Sequence, residues 1–230
     1  MNSKINNLLQ FKDNAEKIRD IIAGILKIEL ANQKTLADKS DLKDRKDFDI
    51  NVYIENARPW DLSGSETNPF PLVNVCLQET LEDANRPGAT VGKIKYSGTY
   101  YIDCYGCGNY QSADEDKNEL SDDSLSTIRA WQTARIVRNI LMSGFYVHLG
   151  MTGIVTRRRI PKITTIIPEG IEKSAFSVTV CRVYFEVDFF EISPEGDGVA
   201  FDEMTVHLMN DGKVNLITLS ADYTKEEGKE

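Results

Sequence analysis

The sequence contains few of the residues, and none of the short motifs, that usually carry catalysis. Only two of its 230 residues are histidines, His148 and His207. A glycine-rich phosphate loop, a GxSxG elbow, an HExxH motif and a GxGxxG fingerprint are all lacking. Glu186 and Asp188 lie on one side of an expected strand, about 7 Å apart, where a carboxylate pair can act as acid and base. Same-face carboxylates are usually solvated or ion-paired, so we expect neither an enzyme nor a cofactor.

Long apolar runs and an excess of positive charge are also lacking. Residues 21–30 are apolar but include a lysine and a glutamate, which argues against a membrane span or a signal peptide. The formal net charge of −9 argues against a protein whose main task is to grip nucleic acid. Residues 113–123 carry six acids and one lysine. Their spacing starts like a calcium loop, but Glu119 replaces the turn glycine and Leu125 the bidentate glutamate, so we expect a solvated loop.

Cysteine is scarce, with four residues in the chain. Cys104 and Cys107 form a CxxC pair, which suggests half of a zinc site or a redox pair. Cys76 and Cys181 are isolated, so no second pair of ligands has zinc-site spacing. A redox pair belongs at a helix N-terminus, whereas this one ends a strand-like run. Reduced structural thiols are the favoured interpretation, and a small metal- or ligand-binding module built on Cys104 and Cys107 is an alternative.

The first part of the chain predicts an amphipathic helix over residues 2–31, capped by Ser3. Packing on the protein's own sheet is the simplest role for this helix, and Ile18 and Ile22 are also candidate contacts with a neighbouring subunit. A charged connector is expected over residues 33–47. The apolar stripe of the helix has 3–4 spacing and consists of Leu8, Phe11, Ala15, Ile18, Ile22 and Ile25.

Three strands are expected next, because apolar and polar residues alternate between turn-forming segments. They cover residues 48–54, 71–77 and 92–105. The first has one face of alternating apolar residues, so we expect that face to be buried. The third is rich in tyrosine and contains Ser97 and Gly98, which predict a break or a hairpin turn at that point.

A second helix is expected from a cap at Ser121 or Asp123 to about Ser143. Ile128 and Trp131 lie outside its main apolar face. Such a helix can contact both the sheet and another subunit, so these two residues are candidate interface positions. The main apolar face consists of Ala130, Ala134, Val137 and Leu141.

The only dense basic cluster lies in an expected pair of strands, residues 154–160 and 163–167, with a bend at Pro161. One interpretation is a contact with nucleic acid or with an acidic partner. The other is a row of exposed cations that protects an edge strand. The cluster consists of Arg157, Arg158 and Arg159, which we take as candidate interface residues.

The longest β-type run covers residues 175–192. Its apolar positions change from even to odd numbers near Cys181 and Arg182, which predicts a β-bulge or a sharp bend there. Tyr184 lies in the exposed register and is a candidate interface residue. The alternating apolar residues are Phe176, Val178 and Val180, followed by Val183, Phe185, Val187 and Phe189.

The C-terminal part predicts a β-hairpin, with strands over residues 203–209 and 213–219 around an Asn-Asp-Gly turn. The whole pattern predicts an α+β fold with a mixed, mostly antiparallel β-sheet, two flanking helices and a C-terminal hairpin extension. We expect one domain over residues 1–195. The hairpin and a charged tail occupy residues 196–230.

The order of these elements resembles the tail-terminator (tail-completion or neck) proteins of tailed bacteriophages. The similarity is carried by residues 101–105 (YIDCY), 134–142 (ARIVRNILM) and the long strand over 178–192, and it covers about residues 48–194. The length, the C-terminal hairpin and the CxxC pair depart from that family, whose members are often shorter.

The resemblance implies a structural virion protein that forms a hexameric ring. Such a ring would cap the tail tube protein and join it to the head–tail connector protein, with the sheath protein as a further candidate partner. Genomic DNA would pass through the lumen without specific binding, and no membrane would be involved. The expected location is the tail or neck of the virion, and the host cytoplasm during assembly. Another phage component, such as a tube, baseplate or head-completion protein, is an alternative.

Overall fold

The computed structural model describes residues 12–40, 48–57, 59, 71–83, 93–108, 122–166 and 177–192, and the backbone of 203–210 and 213–220. The predicted cap at Ser3, the stripe residues Leu8 and Phe11, most of the acidic segment 113–123 and the charged tail lie outside these residues. The elements in chain order are α1 (Asn14–Lys39), β1 (Asn51–Ile54), β2 (Leu72–Glu82), β3 (Lys93–Cys107), α2 (Asp122–Leu141), β4 (Val155–Ile166), β5 (Val178–Ile192), β6 (Glu203–Asn210) and β7 (Lys213–Ser220).

Strands β1 to β5 form one sheet in the order β1-β2-β3-β5-β4. β1 pairs with β2 in parallel, and the other three pairings are antiparallel. Both helices contribute to one core cluster with the same face of the sheet, while the other sheet face carries no helix among the described residues. The expected α+β fold with a mixed, mostly antiparallel sheet and two helices is therefore confirmed. No described helix combines the length and apolar character that crossing a bilayer requires.

α1 begins at Asn14 and ends at Lys39, so the expected end near residue 31 and the start of the connector at residue 33 are wrong. The helix is held at its start by β5, since both carboxylate oxygens of Glu191 accept the backbone N–H of Asn14 at 3.0 Å. The buried Ala37 extends the packed face beyond the stripe that the sequence pattern identified. Ile18 and Ile22 are fully buried in the core.

β3 is one continuous strand, so the break or hairpin predicted at Ser97 and Gly98 is wrong. Gly98 is needed for space, because a Cβ atom there would lie 3.0 Å from the Tyr100 ring and 3.1 Å from Phe189. Gly106 has a similar role, since its Cβ would lie 2.3 Å from the carbonyl oxygen of Ser126 in α2. These glycines mark close packing and not turns.

The pairing register of β5 with β3 is also regular, so the bulge predicted near Cys181 and Arg182 is wrong. All residues of β3 pair with β5 in an unbroken register, and Cys104 lies opposite Cys181. The change of apolar register has another cause: Val178 and Val180 belong to a small cluster on the open sheet face, with Leu72, Tyr105 and Cys107. Further along β5, the apolar residues face the helices; they are Cys181, Val183, Phe185, Val187 and Phe189.

β4 is a single strand at the edge of the sheet, and its register against β5 is irregular between Arg159 and Lys162. The bend expected at Pro161 is thus a bulge within one strand. At the other edge, β1 covers only Asn51–Ile54, and Ile54 is exposed, so the predicted strand over 48–54 with a buried face is too long. β6 and β7 pair with one another as a separate two-stranded sheet, and residues 211 and 212 of the predicted turn lie outside the described residues.

Candidate interaction surfaces

The CxxC cysteines lie on opposite faces of β3. Cys104 belongs to the core cluster under the helices, whereas Cys107 belongs to the small cluster on the open face. Residues three apart in a strand point in opposite directions, so these two thiols do not converge on one ion. Burial raises the pKa of the Cys104 thiol. Among the described residues, no group of three or more histidines, cysteines, aspartates or glutamates could hold a metal.

The open face of the sheet is built around an ion pair between its two central strands. Asp103 of β3 is 5% exposed and accepts two hydrogen bonds from Arg182 of β5, from Nε at 2.7 Å and from Nη2 at 2.8 Å. The two residues are directly opposite in the register. This hydrogen bonding raises the pKa of Arg182 further above its usual value. A paired, planar contact of this kind fixes both side chains.

Two tyrosines continue this arrangement. The rings of Tyr101 and Tyr184 meet edge to face, with centroids 4.9 Å apart. The Arg182 guanidinium lies 4.3 Å from the Tyr101 centroid, and Lys162 Nζ lies 5.2 Å from the Tyr184 centroid. Each ring thus already contacts a cation and its aromatic neighbour. Tyr184 lies on the open face as expected, but as part of a packed row.

Glu186 and Asp188 both lie within ion-pair distance of cations. Arg159 forms an ion pair with Glu186, and Lys95 Nζ lies 3.9 Å from a carboxylate oxygen of Asp188. Lys95 also pairs with Asp83 at 3.1 Å. The ion-paired interpretation of the two carboxylates is therefore confirmed.

The basic cluster is divided between the two faces of β4. Arg157 and Arg159 lie in register with Asp188 and Glu186 on the open face, whereas Arg158 lies in register with the core residue Val187. The Nη2 atom of Arg158 donates to the carbonyl of Ser143 at 2.6 Å, and burial lowers the pKa of Arg158. The expectation of three interface arginines therefore needs correction for Arg158, which fastens β4 to the end of α2.

Ile128 and Trp131 lie on the surface of α2, as predicted. They are 48% and 42% exposed. The indole N–H of Trp131 donates to Oγ1 of Thr165 at 3.1 Å, which ties the ring to the edge strand β4. Ile18 and Ile22 of α1 are instead core residues, because α1 uses that face to cover the sheet. The expectation that they contact a neighbouring subunit is corrected accordingly.

A further apolar surface follows α2 and was not identified from the sequence. We call it the 142–147 patch; it consists of the exposed side chains of Met142, Phe145 and Val147. Phe145 lies in a short 3-10 helix (Gly144–Tyr146) and is 79% exposed, more than any other large apolar side chain of the described residues. Ser143 caps this helix by accepting from the N–H of Phe145.

The side chain of Tyr146, next to Phe145, packs towards the core and fixes the backbone that carries the patch. Its hydroxyl donates a short hydrogen bond to Glu29 of α1, and its ring packs against the core. Burial and this bond raise the pKa of Tyr146. Because Tyr146 is anchored, the backbone presents Phe145 outward on a fixed support. The sequence did carry a signal for this patch: Phe145 and Tyr146 are adjacent aromatic residues just after a helix, and only one of the two can point into the core.

A scan against protein-family models and a search of curated proteins found no match to this chain.

Proposed function

We propose that this chain is a structural subunit of a phage tail, which forms a ring at the end of the tail tube as tail-terminator proteins do. The observation that carries the proposal is the 142–147 patch, where a subunit with an ordinary buried core leaves Met142, Phe145 and Val147 exposed. Large exposed apolar groups on a folded subunit are typical of protein–protein contact sites. The element order described above supports the same assignment.

A closed ring requires two different surfaces on each subunit, one for each neighbour. The 142–147 patch supplies one candidate surface. A second candidate lies on α2 beside the edge strand β4, where Ile128 and Trp131 are exposed. Aromatic residues, methionine and arginine are enriched in such interfaces. The two surfaces involve different residues, as a head-to-tail ring contact needs.

The open face of the sheet supports the ring proposal in another way. Three of its cations are paired with carboxylates, in the pairs Arg182–Asp103, Arg159–Glu186 and Lys95–Asp83. Non-specific DNA binding depends on cations that are free to neutralise phosphates. A lumen lined by such ion-paired cations would let genomic DNA pass with little retention. For a ring at this place in the virion, the proposed protein partners are the tube protein and the connector protein.

The assembly state of the purified full chain tests this proposal. Mass photometry and negative-stain images should show closed rings, either of the free protein or on the ends of isolated tail tubes. Phe145→Glu should reduce ring formation, while Leu81→Glu, at a residue that is 58% exposed on β2, should not. Long stacks of rings would instead indicate a tube protein. A monomer that also fails to bind tube ends would refute the proposal.

A further inference from the structure

Two buried cysteines from different strands lie side by side under the helices. Cys104 of β3 and Cys181 of β5 are directly opposite in the register, and both are fully buried as reduced thiols. Directly paired residues of antiparallel strands have their side chains on one face of the sheet. Both side chains accordingly belong to the core cluster. The fold therefore gives Cys104 a thiol neighbour that the spacing of cysteines in the sequence does not indicate.

The separation of the two backbones suits a disulfide bond. The backbone N–H of Gly108 donates to the carbonyl of Ser177 at 2.9 Å, and this pair continues the register of β3 against β5. Hydrogen-bonded pairs recur at every second position, so Cys104 and Cys181 form such a pair, with Cα atoms about 5.5 Å apart. Disulfide bonds join Cα atoms that are about 4.4–6.8 Å apart. The two cysteines are thus within disulfide range without a movement of the backbone.

The sulfur atom of Cys181 lies close to the surface of the subunit. It is 4.0 Å from Oγ1 of Thr165, an exposed residue of the edge strand β4 whose hydroxyl also accepts the indole N–H of Trp131. The sulfur of Cys104, on the central strand of the sheet, is 3.8 Å from the carbonyl oxygen of Ile102. Rotation about the Cα–Cβ bonds of the two cysteines turns their sulfurs towards each other. Cys181 is therefore the sulfur that a small oxidant meets first.

We propose that Cys104 and Cys181 are a redox-active pair, which a peroxide converts into a disulfide between the two strands and a thiol reductant reopens. The Cys181 thiolate attacks the O–O bond of hydrogen peroxide, which forms a sulfenic acid and releases hydroxide. The Cys104 thiol then displaces the sulfenic oxygen, so the S–S bond forms and water leaves. In total, two thiols lose two electrons and two protons, and one peroxide becomes two water molecules.

The burial of the pair makes this reaction slow and selective. Burial raises the pKa of both thiols, so the reactive thiolate is scarce at neutral pH. Once a sulfenic acid forms at Cys181, the Cys104 thiol is directly opposite, whereas Cys107 lies on the other face of β3. The inference concerns a chemical modification of the subunit and does not depend on the ring proposal.

Disulfide mapping of the folded full chain tests the pair. Reduced protein is exposed to hydrogen peroxide, and the remaining thiols are then blocked with iodoacetamide in urea. Chymotrypsin, which cleaves after Tyr105, separates Cys104 from Cys107. Mass spectrometry without reduction should find residue 104 joined to residue 181, while Cys76 and Cys107 are alkylated. Dithiothreitol should remove the link and restore alkylation at all four cysteines.

Two cysteine variants provide the matched control. Cys104→Ala should lower the yield of peptides linked through residue 181 at least about tenfold, because the opposite thiol is gone. Cys107→Ala removes a thiol that is also buried, 2% exposed, and should leave the yield of the 104–181 link nearly unchanged. In the urea-unfolded chain the register is lost, so this link should lose its preference over links to Cys76 or Cys107.

The proposal fails on any of three results for the folded chain. One is a link through Cys76 or Cys107 in place of the 104–181 link. Another is oxidation of Cys104 and Cys181 to sulfinic acids without a link between them. The last is full alkylation of both at a peroxide concentration that oxidises them in urea.

Discussion

The two faces of the five-stranded sheet are built from the same strands but are stabilised by different interactions. The face under the helices is apolar, with Val183, Phe185 and Val187 fully buried in the cluster that α1 and α2 share with the sheet. The open face combines the Asp103–Arg182 ion pair with a small apolar cluster around Tyr105 and Val180. The comparison shows that helix packing stabilises the fold on one side, while directional bonds order the other side, on which no described helix packs.

The largest test of this comparison is removal of a core side chain. Phe185→Ala should lower the free energy of unfolding by about 3–5 kcal/mol, because the cavity adds to the lost burial. Urea denaturation followed by circular dichroism measures this change. Phe190→Ala, at a half-buried position on the open face, should cost clearly less. Equal losses for both variants would break the distinction between the two faces.

A second test adds volume where helix and sheet meet. Gly106→Ala should destabilise the protein by about 1–3 kcal/mol, because the new Cβ would meet backbone atoms of α2 that cannot rotate away. The same urea experiment reports the loss. Gly24→Ala is the matched control, since a Cβ there meets nothing within 4 Å and alanine favours the helix. Identical behaviour of the two variants would mean that α2 does not pack so closely on β3.

The third test removes the charge of the open face. Asp103→Asn should cost about 1.5–3 kcal/mol, the range for hydrogen bonds to charged groups, and leaves Arg182 partly buried without its counter-ion. Asp188→Asn, whose carboxylate lies 3.9 Å from Lys95, should change the stability by less than about 1 kcal/mol. Thermal and urea unfolding of both variants decide the matter. If both variants lose the same unfolding free energy, the Asp103–Arg182 pair contributes no more than an exposed ion pair.

The smallest effect concerns alkaline pH. Burial raises the pKa of the Cys181 thiol from its usual 9.0 to about 11. The folded state thus favours the neutral thiol, so this stabilisation is complete below pH 9 and is lost as the pH rises towards 11. A single group contributes at most about 1.4 kcal/mol per pH unit. Cys181→Ala should flatten the decline in unfolding free energy between pH 9 and 11, and an unchanged slope would contradict this cause.

Local patterns in the sequence were sufficient to predict much of the covered face. Ala130, Ala134 and Val137 recur at helical spacing, and all three are buried in the core as expected. The pattern misled for β5, because its first residues belong to an apolar cluster on the open face, while Thr179 on the helix face bonds to Ser126. In the sequence, apolar residues that move from one sheet face to the other within a regular strand produce the same shift in alternation as a β-bulge.

The open face and the 142–147 patch could not be predicted in the same way. Asp103 and Arg182 are 79 positions apart, and only the register of β3 against β5 brings them together. Phe145 and Tyr146 are adjacent aromatic residues, and the hydrogen bond of Tyr146 to Glu29 of α1 accompanies the burial of Tyr146 and the exposure of Phe145. Both features depend on contacts between distant segments, which periodicity does not encode.

The central proposal, a ring subunit that ends the tail tube through exposed apolar surfaces, is tested most directly by tube growth. Purified tube protein is allowed to polymerise with increasing amounts of this chain, and tube lengths are measured by negative-stain microscopy. The proposal predicts shorter tubes with a ring at one end, a weaker effect for Phe145→Glu, and a full effect for Leu81→Glu. Tubes of unchanged length with bare ends at every concentration would contradict it.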